Sequence, residues 1–325
     1  STGVRNDSRP AIAAKTTSDM MMKRQLNKAF ALVVLLAMGL TPTLSYAGPY
    51  DVTLRGLGRP MPNDLQDPAY LRFKKLGNEL GLAMAPRPLA PAETLGISGF
   101  EFSLVSTFAD INEAADYWQG QPGSPVFLGV ADGEGIPVGF WIPTLHIRKG
   151  LPLSTELGIT ASYLSFSEMF LLGAEAKIAL HEKFTKWSPD FAARGAIGSL
   201  FGNSDMKLTT VEVDVLMSYA FGIDGVMQLT PYAGWGLVFV DVISGVIDET
   251  PYSVTDRIND QNGQESGSLY VFERLIWNEN KNQRVVLGAR ASFAFIEVSY
   301  ELDIGMNEAA QTNLLSHSIK VGFDT

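Results

Sequence analysis

The chain has 325 residues, is 46% hydrophobic and carries a formal charge of −10 at pH 7. Acidity of this degree excludes nucleic acid as a partner. With no cysteine there are no disulfides and no thiol chemistry, and three histidines alone do not make a structural zinc site, so neither a metal nor a cofactor is expected.

Residues 1–21 have no apolar period and run into three consecutive methionines, Met20 to Met22; they read as a non-native upstream segment. Residues 22–47 read as a cleaved export signal. Lys23, Arg24 and Lys28 supply the positive flank, the run AFALVVLLAMGL from Ala29 to Leu40 supplies the apolar part, and Ser45-Tyr46-Ala47 places small residues where a signal peptidase reads, with cleavage before Gly48. The apolar run is too short to span a bilayer as a helix. Removal of residues 1–47 takes six basic and only two acidic residues and leaves the chain more negative.

Residues 48–94 read as a linker with one short helix. Asp67-Pro68 offers an N-cap and first helical position, and Tyr70, Phe73, Leu76 and Leu80 recur at helical spacing before Gly81. Pro86, Pro88 and Pro91 then predict an extended stretch.

From about residue 95 the period becomes two. Val211, Val213, Val215 and Met217 oppose Glu212, Asp214 and Ser218; Leu157, Ile159 and Ala161 oppose Glu156, Gly158 and Thr160; Val298, Tyr300 and Leu302 oppose Glu297, Ser299, Glu301 and Asp303. Alternation of this kind means strands with one apolar and one polar face. Ten strands are predicted, over 97–108, 139–149, 153–164, 169–182, 190–201, 206–221, 228–243, 284–292, 295–304 and 314–324, with eight as the other count. Connections alternate: one set is short, and the other includes the long segments 109–138 and 244–283. An even strand number with this asymmetry predicts a closed antiparallel transmembrane β-barrel over 95–325, both barrel ends at the short-turn side. The polar faces are rich in Gly, Ala and Ser, the segments are long enough to cross a bilayer at a tilt, and aromatics such as Phe100, Phe108, Trp141, Phe170 and Phe201 gather towards strand ends. The apolar face is therefore expected to point outward. A soluble lipocalin-like carrier would point it inward.

With these features, the chain resembles the small outer-membrane β-barrel proteins of Gram-negative bacteria. The last strand, Ser316-His317-Ser318-Ile319-Lys320-Val321-Gly322-Phe323, looks like their C-terminal insertion signal, carried here by Ile319, Val321 and Phe323. It departs from that pattern in that Asp324 and Thr325 follow the aromatic residue. The resemblance implies location in the outer membrane and the barrel-insertion machinery as a partner. Residues 48–94 are then expected in the periplasm, with their short helix closing the lower barrel mouth or resting on the inner leaflet edge.

Projected inward, the polar faces bring together Glu101, Glu156, Glu175, Glu212, Asp214, Glu297, Glu301 and Asp303 with Arg148, Lys177, Arg194, Lys207, Arg284, Arg290 and Lys320. Near balance predicts an ion-paired, mostly occluded lumen. His146 and His181 are expected to face inward, and His317 outward beside Ser316 and Ser318. No catalytic residues are assigned. An outer-membrane lipid-modifying hydrolase or acyltransferase remains an alternative and requires a histidine within hydrogen-bond reach of a Ser or Thr hydroxyl. The long loops are acidic (Asp110, Glu113, Asp116, Asp132 and Glu134 in the first; Asp248, Glu249, Asp256, Asp260, Glu265, Glu273 and Glu279 against Arg257, Arg274 and Lys281 in the second), which fits contact with lipopolysaccharide through divalent cations. Apolar loop segments 126–130 and 268–277 are expected to fold over the barrel mouth or extend the strands. The function expected is structural, interactive or narrowly permeative for small solutes.

Overall fold

The computed structural model describes residues 48–121, 124–131, 135–181, 189–223, 227–249 and 269–324. The upstream segment and the export signal lie outside these residues, as do Asp132, Glu134, Asp256, Arg257, Asp260 and Glu265.

Ten antiparallel strands form the wall: β1 (Phe100–Asp110), β2 (Gly139–Leu151), β3 (Thr155–Tyr163), β4 (Phe170–His181), β5 (Asp190–Phe201), β6 (Met206–Ser218), β7 (Met227–Ser244), β8 (Lys281–Phe293), β9 (Ile296–Asn307) and β10 (Thr312–Asp324). Each pairs with its neighbours in sequence, and β10 pairs with β1 through Phe102↔Phe323 to Ala109↔Ser316, which closes the barrel. The short segment Phe221–Ile223 adds three further pairs to β7. Pro143 does not interrupt β2. The β2–β3 ladder starts only at Thr144, so that edge is already open at the proline.

Side chains alternate across the wall as the period of two requires. Ile159, Val213 and Ile319 are each more than half exposed on the outside, whereas Glu301 and Lys320 are fully buried inside. Leu104, Leu172, Ile197, Leu287 and Val298 continue the outer apolar band. Phe108, Trp141, Phe170 and Phe201 ring its long-loop end, and Phe100, Phe191, Phe221 and Phe323 its short-turn end. A wall that turns its apolar side outward is stable in hydrocarbon and not in water, so the barrel spans a membrane.

The segment before β1 is not a linker below the barrel. It enters at the long-loop end, where the Thr53 hydroxyl and Leu54 amide donate to Asp205 in the β5–β6 turn at 2.9 and 3.0 Å. Helix α1 (Pro68–Met84) follows, capped by the Asp67 side chain on the amides of Ala69 and Tyr70, and it continues past Gly81 to Met84. Gly81 lets α1 approach the wall; a Cβ there would lie 2.7 Å from Val240. Pro86 and Pro88 stop the helix. The chain then descends through the lumen without helix or strand, turning at Leu89 (φ 51°), and leaves at the short-turn end, where the Gly150 amide donates to Gly99 at 3.0 Å. Expulsion of the segment from the lumen would strand the inner charges and expose the apolar face of α1, which explains why it lies within the wall.

Candidate functional site

The inner faces of the strands differ along the barrel axis. Near the long loops they are apolar: Phe140, Ile142, Leu171, Leu200, Leu208, Val238, Val240 and Val242 are buried in one cluster with Phe73, Leu76 and Leu80 of α1. Above this, loop residues form a cap. Trp118 stacks on Phe127 at 5.1 Å, and Phe272 stacks on Phe73 at 4.6 Å. Both loop segments with apolar sequences thus fold over the mouth. Glu79 of α1 ties the cap to the helix by accepting from the Asn112 amide (2.9 Å), the Trp118 indole (3.2 Å) and the Tyr117 hydroxyl. Burial and the Glu79 carboxylate together push the Tyr117 phenol well above its ordinary range. Burial, followed by the charge of Glu249, pushes Tyr270 up to about 12.

The short-turn half is lined with charge. Arg194 is the hub of one group: its Nε donates to Glu175 (2.7 Å), its Nη1 to Glu212 (3.2 Å) and Asp214 (2.5 Å), and its Nη2 to the Pro86 carbonyl (3.2 Å). Arg284 reaches Glu212 and the same carbonyl, both at 3.1 Å. Arg87, from the threaded segment, pairs with Asp303 at 3.1 Å and reaches Ser316 at 3.2 Å. A second group is centred on Arg148, which pairs with Glu101 and, at 2.9 Å, with Glu156. Lys320 bridges Glu101 at 2.9 Å and Glu297 at 2.5 Å. Arg290 pairs with Glu93 of the threaded segment and lies 3.7 Å from Glu297. Lys177 approaches Glu156 at 3.4 Å.

The threaded backbone is held by these walls. Lys177 donates to the carbonyls of Pro91 and Glu93 at 3.1 and 3.0 Å. The amides of Leu89, Ala92 and Leu95 donate to Glu301 (2.8 Å), Ser218 (3.0 Å) and Glu156 (3.3 Å). Tyr232 adds a bond to Glu301 at 2.9 Å.

Of the lumen residues read from the sequence, Lys207 is misplaced. It shares the outward parity of Val211 and Val213 and lies exposed on the outer wall. All the others face inward. Arg87 and Glu93 were not legible as members, because the stretch from Ala85 to Leu95 has no period that assigns a face; the two ions there are the only signal it carries. His146 faces inward and bonds Glu175 at 2.9 Å, and His317 faces outward and bonds the Tyr300 hydroxyl at 2.7 Å. The side chain of His181 lies outside the described residues. Ser316 and Ser318 point inward, to Arg87 and to Thr107, away from His317. The serine–histidine contact that lipid hydrolysis needs is therefore not formed by these residues. Ile319, Val321 and Phe323 lie on the outer face. Among the described residues no group of three acidic or histidine side chains is arranged to hold a metal ion.

No protein-family model and no curated protein matches the sequence. Among solved structures the chain is similar to the N-terminal β-barrel domain of Pseudomonas aeruginosa OprF, at 13% identity over 71% of this chain and 99% of that one, with a TM-score of 0.28. It is similar to Ail, the attachment invasion locus protein of Yersinia pestis, at 9% identity over 70% and 99%, with a TM-score of 0.25. It is also similar to LpxR from Salmonella typhimurium, at 14% identity over 68% and 99%, with a TM-score of 0.30.

Proposed function

We propose that the chain is an integral protein of the Gram-negative outer membrane whose barrel is a filled anchor, not a pore, with the short turns in the periplasm and the loop cap at the cell surface as its interacting part. One observation carries this reading: the irregular stretch from Pro86 to Leu95 occupies the lumen and is bonded to β3, β4, β5, β6, β8 and β9. A conducting path requires continuous water beside that stretch, and the charged wall groups that would line it are bonded to the chain or paired with one another. The insertion machinery would recognise the outward row Ile319, Val321 and Phe323, and lipopolysaccharide would surround the long-loop rim.

Planar-bilayer recording of the protein extracted from outer membranes tests the anchor. The expected record is silent at moderate voltage. Stable, large unitary steps would overturn it.

A further inference from the structure

The start of the described chain is seated in a site of its own at the long-loop mouth. The Gly48 nitrogen lies 2.6 Å from Asp51 Oδ2, and Asp51 Oδ1 accepts the Glu168 amide at 2.7 Å. The carboxylate is buried, at 7% exposure, yet both partners are main-chain nitrogens and no cation among the described residues pairs with it. Burial raises its pKa, as it must for a carboxylate left without a counter-charge. The site is also shaped for glycine: a Cβ on Gly48 would stand 2.2 Å from the Phe166 carbonyl oxygen. That same carbonyl accepts the Tyr50 amide at 3.0 Å, so the first residues are stitched to the β3–β4 loop.

The sequence places the processing point directly before this residue, after Ser45-Tyr46-Ala47. We infer that Gly48 becomes the N-terminus of the exported protein and that its freed α-ammonium docks on Asp51 as a buried ion pair. In the hydrolysis, catalysed by an export peptidase, the Ala47–Gly48 C–N bond breaks. Water gives its hydroxyl to the Ala47 carbonyl carbon and a proton to the glycine nitrogen, which takes a second proton from solvent at neutral pH. The product supplies the cation that the Asp51 pocket lacks, at the distance of a charge-assisted bond. This rests on the export reading of residues 22–47 and not on the filled-anchor reading. It also places the processed end at the mouth opposite the C-terminal end of β10.

The test uses full-length chain exported with its own signal and extracted from outer membranes. Intact mass and N-terminal sequencing should give a chain starting at Gly48; a different start overturns the inference. The native protein is then labelled with an amine-acylating reagent near neutral pH. A free α-amine titrates near ~8, and an upward shift of one unit lowers its reactive fraction about tenfold. Labelling of the Gly48 amine should be at least about tenfold slower than in two variants. One is Asp51→Asn. The other inserts one alanine between Ala47 and Gly48, which keeps Asp51 and the cleavage site and displaces the ammonium by one residue. Equal labelling rates in wild type and the insertion variant would overturn the docking. A conducting barrel with a protected amine would sink the anchor and leave this inference standing.

Discussion

One stretch of chain, residues 68–95, crosses two halves of the lumen with opposite wall chemistry. In the long-loop half it is a helix among leucines, valines and phenylalanines. In the short-turn half it is irregular chain among arginines and carboxylates. The difference follows from the backbone. A helix satisfies its own N–H and C=O groups, so an apolar wall leaves nothing unpaired. A segment without helix or strand has no such ladder of internal partners. Prolines at 86, 88 and 91 remove three donors, but the carbonyls and remaining amides still need bonds. Arg194, Arg284 and Lys177 supply donors to carbonyls, while Glu301, Ser218 and Glu156 supply acceptors to amides. The wall changes from apolar to charged where the chain changes from helix to irregular backbone.

The charged half should break most sharply when a hub is removed. Arg194→Ala leaves Glu175, Glu212 and Asp214 without their shared cation and removes one of the two arginine donors to the Pro86 carbonyl. Removing one partner of a buried ion network costs roughly 3–5 kcal/mol, read as a lowered urea midpoint of the folded protein in detergent. Arg194→Lys should recover little of this, because one ammonium cannot serve the several directions that the guanidinium serves. A near-wild-type midpoint for Arg194→Lys would show that the network is loose.

The apolar half should respond differently to equally conservative changes. Leu80→Ala opens a cavity against the wall and costs roughly 2–5 kcal/mol. Leu80→Met keeps the volume and costs less than about 1.5 kcal/mol. If Leu80→Met proves as damaging as Arg194→Lys, the two halves do not differ as argued. Upstream of both, Asp67→Ala removes the cap on two α1 amides and should cost roughly 0.5–2 kcal/mol. Hydrogen exchange confined to the first turn of α1 would report it, and unchanged protection at Ala69 and Tyr70 would contradict it.

The wall was legible in the sequence because strand parity is local. Val211, Val213 and Val215 against Glu212 and Asp214 fix a face without knowledge of any partner, and so do the ten strands and the two long loops. The same rule, applied consistently, would have put Lys207 outside. The helix was legible from its cap and its spacing of apolar residues. Its place in the lumen was not. The apolar face of α1 fits a barrel mouth of either side, and the inner residues of β7, Val238, Val240 and Val242, break the expectation of a polar interior. Only the three-dimensional path of residues 68–95 explains why the interior is polar at one end and apolar at the other.

The smallest effect expected is in the cap, and it separates the cap from the barrel by pH. The Tyr270 phenol titrates near ~10 in an unfolded chain, and near about 12 in the folded one. The folded state thus holds the proton more tightly over that interval. Its contribution is fully present below pH 10 and is lost as pH rises towards 12. Tyr117, raised in the same sense beside Glu79, acts in the same direction. Alkaline titration should therefore expose the cap to protease while the strands stay protected. Tyr270→Phe is a clean control, because the Tyr270 hydroxyl is buried with no hydrogen-bond partner among the described residues. The variant should keep its neutral-pH stability and open at higher pH than wild type. Cap opening at the same pH in both would remove Tyr270 from the account.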